Sequence, residues 1–215
     1  MLRVVSLCVV GGLLAACSTG SLFDSDTPVP ANYVLAAVPP SQDTRTPIPV
    51  DVSISRPDMG SGLDSDRIAV LKGRELDYYR AVRWGSRTIE LVQNLAVDSL
   101  ENQRLFRSVT HEQARVAGDY VLDLQVRDFQ AEYGPGDDVP SIHVTLVGRL
   151  IRVIDRELVA TIQSEARIDA EDNRMGAVAG AFEAAAHKAI LDLGNQLAQV
   201  VTNDASELQT ARGRD

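Results

Sequence analysis

Cys17 is the residue whose setting most plainly calls for chemistry. It follows Leu14, Ala15 and Ala16, an aliphatic residue and two small ones. That is the pattern at which a thiol accepts a diacylglyceryl group and a peptidase then cuts in front of it, exposing an amine for a further acyl chain. The residues upstream agree. Arg3 near the start and an apolar run from Val4 to Ala16 make residues 1–16 an export signal. The run is too short to span a bilayer, which takes roughly 20 apolar residues. The sequence therefore predicts a precursor that ends up held to a membrane by lipid on Cys17.

Other residue types that do chemistry are present without the spacing it needs. His111, His143 and His187 lack metal-ligand spacing. Cys8 leaves with the signal, so a mature chain has no thiol beyond the acylated one. Thiolate catalysis, thiolate zinc sites and a disulfide are excluded. Gly60-Ser61-Gly62 is not the G-x-S-x-G that exposes a nucleophile on a sharp turn. Gly134-Pro135-Gly136 lacks the third glycine and following lysine of a phosphate cradle. Asp137-Asp138 and Asp64 with Asp66 read as solvated loop carboxylates rather than a calcium loop. No catalytic residue, metal or cofactor is predicted, apart from the covalent diacylglyceryl and N-acyl lipid on Cys17. Gly176 and Gly180 read as small residues that let a helix approach a sheet. Tyr78, Tyr79, Arg83 and Trp84 concentrate the types enriched at protein interfaces. They form a candidate interface, against which stands the reading of Trp84 as a core anchor where hairpin meets helix, the more favoured of the two.

The elements that must carry these residues follow from hydrophobic period. Residues 17–31 are Ser, Asp, Thr, Gly and Pro with few apolar residues, a tether whose flexible part spans roughly 20 Å. Tyr33-Val34-Leu35 reads as a short strand, the stretch from Pro39 to Pro49 as a loop, and Val50 to Ile54 as an alternating strand. A hairpin is expected around Lys72-Gly73-Arg74. From Trp84 to Leu100 the apolar residues recur at three and four, the period of a helix. Phe106 to Val109 is extended, and three longer strands follow over 120–129, 142–154 and 158–168. A second helix runs from Arg174 to about Val201, and residues 204–215 are expected to form a polar, frayed tail. The order implies one layered domain over 32–203, of α/β class with α+β left open, a mixed β-sheet with two main helices packed on it.

A formal charge of −9 makes anionic headgroups and nucleic acid poor partners. Ser18 after the cysteine, in place of an Asp, points to the outer membrane in the sorting logic of many Gram-negative bacteria; inner-membrane retention stays open.

Several stretches in order resemble a known family. They are the lipobox at Cys17, Tyr33-Val34-Leu35, Asp66-Arg67-Ile68-Ala69-Val70, and Tyr78-Tyr79-Arg80 leading to Trp84 and a helix. Arg104-Leu105-Phe106-Arg107-Ser108-Val109, the strand Tyr120-Val121-Leu122-Asp123-Leu124 with Phe129, and the Ala-rich last helix continue the match. Together they resemble the ABC-type transport auxiliary lipoproteins, of the PqiC-like kind. The resemblance implies a non-enzymatic accessory subunit of an MCE-type phospholipid transport system. Its partners would be an MCE-domain protein with its ABC permease and ATPase, met at the periplasmic face of the outer membrane. The loop from Pro39 to Pro49 and the residues after Asn203 depart from the pattern, so no site residue carries over except Cys17. The alternative is a periplasmic lipid- or ligand-binding lipoprotein whose sheet and helices enclose an apolar pocket.

Overall fold

The computed structural model describes residues 29–114 and 118–212. Its spine is β8 (Tyr120–Tyr133), where Leu122, Leu124 and Val126 alternate onto one face and are fully buried. On one side β8 pairs antiparallel with β9 (Ser141–Arg152), which pairs antiparallel with the edge strand β10 (Leu158–Asp169). On its other side three short parallel partners take turns along its length. They are β2 (Ile48–Ile54) at Tyr120–Leu122, β3 (Asp58–Met59) at Gln125–Val126, and β4 (Ala69–Lys72) at Ala131–Tyr133. β4 folds back on β5 (Glu75–Tyr78) as the expected hairpin, with Gly73 at positive φ in the turn. β2 also pairs parallel with β7 (Phe106–His111), the opposite edge.

Both helices cover one face of this mixed sheet, so the molecule is an α/β fold in a single domain. Helix α1 spans Thr88–Gln103 and starts later than its apolar period suggests. Val82–Trp84 is instead strand β6, paired parallel with β1 (Ala31–Tyr33) in a separate two-stranded sheet. Ala81 at φ 57° turns the chain into β6, and Trp84 N–H donates to Asp66 O at 2.7 Å. α1 closes on Arg104 in the left-handed conformation, with its N–H on Glu101 O.

Helix α2 spans Met175–Arg212, which corrects the expectation of a frayed tail from residue 204. Its stripe of Val178, Phe182, Ala185, Ala189, Leu193, Leu197 and Val201 is buried throughout. Beyond Asn203 the helix continues because Asp204, 6% exposed, accepts from Arg152 Nη2 at 2.6 Å and from Tyr120 OH at 2.7 Å. A carboxylate so paired ties a polar turn to the sheet. The glycines also differ from expectation. Added Cβ atoms at Gly176 and Gly180 would meet nothing within 4 Å, whereas one at Gly194 would lie 2.4 Å from Leu100 Cδ2. Gly194 is therefore the residue that lets α2 close on α1.

Candidate functional site

Cys17 lies outside the described residues, but the place where the chain comes in from it is defined. Ala31 N–H donates to Ala81 O at 3.0 Å, and Gly85 N–H donates to Tyr33 O at 2.7 Å, which fixes β1 against β6. The next residues form a strap across both helices. Ala36 N–H donates to Glu183 Oε2 at 2.7 Å and Ala36 O accepts from His187 Nε2 at 2.7 Å, both on α2. Val38 N–H then donates to the buried Ser99 Oγ at 3.0 Å, and Asn102 Nδ2 to Val38 O at 2.8 Å, both on α1. His187 thus acts as a clamp on the strap.

The level of this attachment is set by Trp84. Its ring meets Phe182 edge-on at 5.1 Å and Phe129 at 6.0 Å, and these two lie 5.2 Å apart. Trp84 is 2% exposed. It is the centre of the core, and the structure corrects its place in the candidate interface. The aromatic triad fills the layer between sheet and helices where a carrier would need a chamber.

The other three candidates are each engaged by a different local partner. Tyr78 OH donates to Gly62 O at 2.8 Å and its ring lies under the Arg67 guanidinium at 3.7 Å. Tyr79 OH meets Tyr133 OH at 3.1 Å, and Tyr133 OH donates to Asn173 Oδ1 at 2.6 Å. Burial first, and then that hydrogen bond, push the Tyr79 phenol well above its ordinary range. Arg83 pairs with Asp66 at 3.0 Å on the surface. Trp84 is thus turned away from its three neighbours, and the four do not make one surface.

Asp66 is thus paired, and two more of the carboxylates singled out above have partners. Asp64 pairs with Arg87 at 2.6 Å, and Asp137 Oδ2 accepts from Gly134 N–H at 2.9 Å, closing its own loop. Among the described residues no group of three or more His, Cys, Asp or Glu side chains is arranged to hold a metal ion.

One polar cluster has no counterpart in the sequence reading. On the sheet face opposite the helices, His143 Nδ1 lies 2.8 Å from Glu132 Oε1 and its Nε2 lies 2.9 Å from Glu165 Oε1. Arg167 Nη1 donates to the other Glu132 oxygen at 2.6 Å, and Thr145 Oγ1 is 3.0 Å from His143 Nε2. Burial works to raise the Glu132 carboxyl, but hydrogen bonds from Arg167, His143 and Gln130 outweigh it and the net position is below the usual value. The cluster joins β8, β9 and β10 through their side chains, and its polar atoms are spent on one another. Polar residues at alternate positions of three strands are its only sequence signal; the register that brings them together is not readable from one strand at a time.

No described helix is long and apolar enough to cross a membrane. Residues 33–198 match the family model described as the ABC-type transport auxiliary lipoprotein component. Among solved structures, the chain resembles a crystal structure of a protein from Xanthomonas campestris at 21% identity and a TM-score of 0.72, covering 82% of this chain and 99% of that one. It also resembles the crystal structure of an uncharacterized protein at 12% identity and a TM-score of 0.58, covering 79% and 99%. Both similarities concern the fold. No curated protein sequence matches.

Proposed function

Given that the chain belongs to the ABC-type transport auxiliary lipoprotein family, we propose that it is a non-enzymatic subunit of an MCE-type ABC phospholipid transport system. In this reading it docks the periplasmic end of the assembly at the outer membrane, held there by lipid on Cys17. The observation that carries the reading is the strap. A chain arriving from the anchor is bound to β6, then to α2 and then to α1 within residues 31–41. The body is thereby hung from the membrane by one end, while α2 carries its other end away. From Phe182, level with Trp84, to Asp204 is 22 residues of helix, about 33 Å at 1.5 Å per residue.

The filled core supports docking over carriage of a lipid within the fold. The role falls to surfaces, and the permease, ATPase and MCE-domain protein supply transport.

Crosslinking of the lipidated protein in its native membranes, followed by affinity recovery, tests this. Recovery of an MCE-domain or permease subunit is the expected result; recovery of neither would overturn the reading. Cys17→Ser should leave the chain without covalent lipid by intact mass and free it from the membrane fraction.

A further inference from the structure

Large apolar side chains stand exposed together at the turn joining β9 to β10. Val153 is 45%, Ile154 83% and Leu158 55% exposed. Beside them lies an open cleft of about 380 Å³ whose wall continues onto α2 through Ala205 and Leu208 and onto β2 through Val50. An exposed apolar group with a polar surround is the composition of a protein interface. The level of Asp204 is also 22 helical residues, about 33 Å, along α2 from Phe182, the level at which β1 enters the body beside Trp84.

The charges around the patch say what covers it. Arg107 is shared between Asp51 and Asp119. Arg152 is shared among Asp155, Glu157 and Asp204. Arg156, exposed at the turn with φ 60°, leaves carboxylates in excess of guanidiniums. Glu157 and Asp119 keep 62% and 49% of their side chains in solvent. An acidic rim on a chain of charge −9 repels an anionic bilayer and suits a cationic protein segment.

We infer that the β9–β10 tip and the end of α2 form a docking surface for an amphipathic segment of a partner protein, apolar in the middle and flanked by Lys or Arg. The inference rests on the docking reading above and names the surface through which it works. The apolar side chains of the segment seat against Ile154, Leu208 and Val50, and its cations meet Asp119 and Glu157.

A photoreactive residue placed at position 154 of the full lipidated chain, in native membranes, tests this against one at position 74. Position 74 lies in the β4–β5 turn at the opposite end of β8. Expected from position 154 is capture of a transport subunit through a peptide with apolar and Lys or Arg residues. The double variant Ile154→Ser/Leu158→Ser should lower the yield of that adduct, measured from a photoreactive residue at position 208, by about tenfold or more. Both substitutions remove exposed atoms, so the fold is kept, as circular dichroism will check. Capture of transport subunits only from position 74 would overturn this surface while leaving the docking function standing. Adducts only with lipid or with a second copy of this chain from position 154 would overturn the inference as well. Failure at every position together with failed co-recovery would take the function itself.

Discussion

Arg152 and Asp204 face each other across the end of the molecule, with Nε to Oδ2 at 3.0 Å and Nη2 to Oδ1 at 2.6 Å, a two-pronged ion pair between the last residue of β9 and the C-terminal part of α2. Both side chains are nearly enclosed, at 10% and 6% exposure. Removing one partner leaves a charge inside, which costs about 3–5 kcal/mol where nothing else is at hand. Arg152 retains Asp155 and Glu157. Asp204→Ala should therefore lower the free energy of unfolding by about 2–3 kcal/mol in urea titration. It should also release amide protection in residues 202–212 first.

Acid should loosen the same junction. Burial tends to raise the Asp204 carboxyl, but hydrogen bonds from Arg152 and Tyr120 and the Arg152 charge draw it below its ordinary 3.8. A group depressed on folding stabilises above its unfolded value and loses that contribution as pH falls through the folded one. The loss should start as pH drops below 3.8 and deepen further down. In Asp204→Asn, less stable at neutral pH, the fall over that window should be shallower in a series of thermal melts.

Alkali acts on the partner of that carboxylate. Burial, and then the hydrogen bond to Asp204, push the Tyr120 phenol from 10 to about 12. A raised group stabilises fully below its unfolded value and loses the effect as pH rises through the folded one. Stability should thus decline between pH 10 and about 12. Tyr120→Phe should cost about 1 kcal/mol at pH 7 through the missing hydrogen bond and flatten that decline.

The long strands and the last helix were legible because their apolar residues alternate or recur within each element, as from Leu122 to Val126 and from Val178 to Leu197. The turn from Trp84 into α1 was not, because a buried Trp before a helix has the same period whether it begins that helix or ends a strand. The continuation past Asn203 was hidden for a different reason. Asp204 looks like solvent chemistry until Arg152, 52 residues away, is brought beside it. The strap was equally invisible, since Ala36 and Glu183 are 147 residues apart. The candidate interface failed at Trp84 because aromatics signal burial and recognition alike.

Trp84 and Arg83 should separate sharply. Trp84→Ala empties the centre of the aromatic triad and should cost about 3–5 kcal/mol. Arg83→Ala removes an exposed pair and should cost less than about 1 kcal/mol. Equal losses in denaturant titration would contradict the placement of Trp84 in the core.

The glycines of α2 should respond in opposite directions. Gly180→Ala adds a methyl into open space and should raise stability by about 0.5–1 kcal/mol. Gly194→Val drives side-chain atoms into Leu100 and Leu105 and should cost about 1–3 kcal/mol. Thermal unfolding of the two variants beside the parent reads both.

Because residues 31–41 grip β6, α2 and α1 in succession, tension arriving along the N-terminal segment is divided among three elements instead of being concentrated on one. A pull on Ala31 is therefore met first at β6, then at Glu183 and His187, then at Ser99 and Asn102.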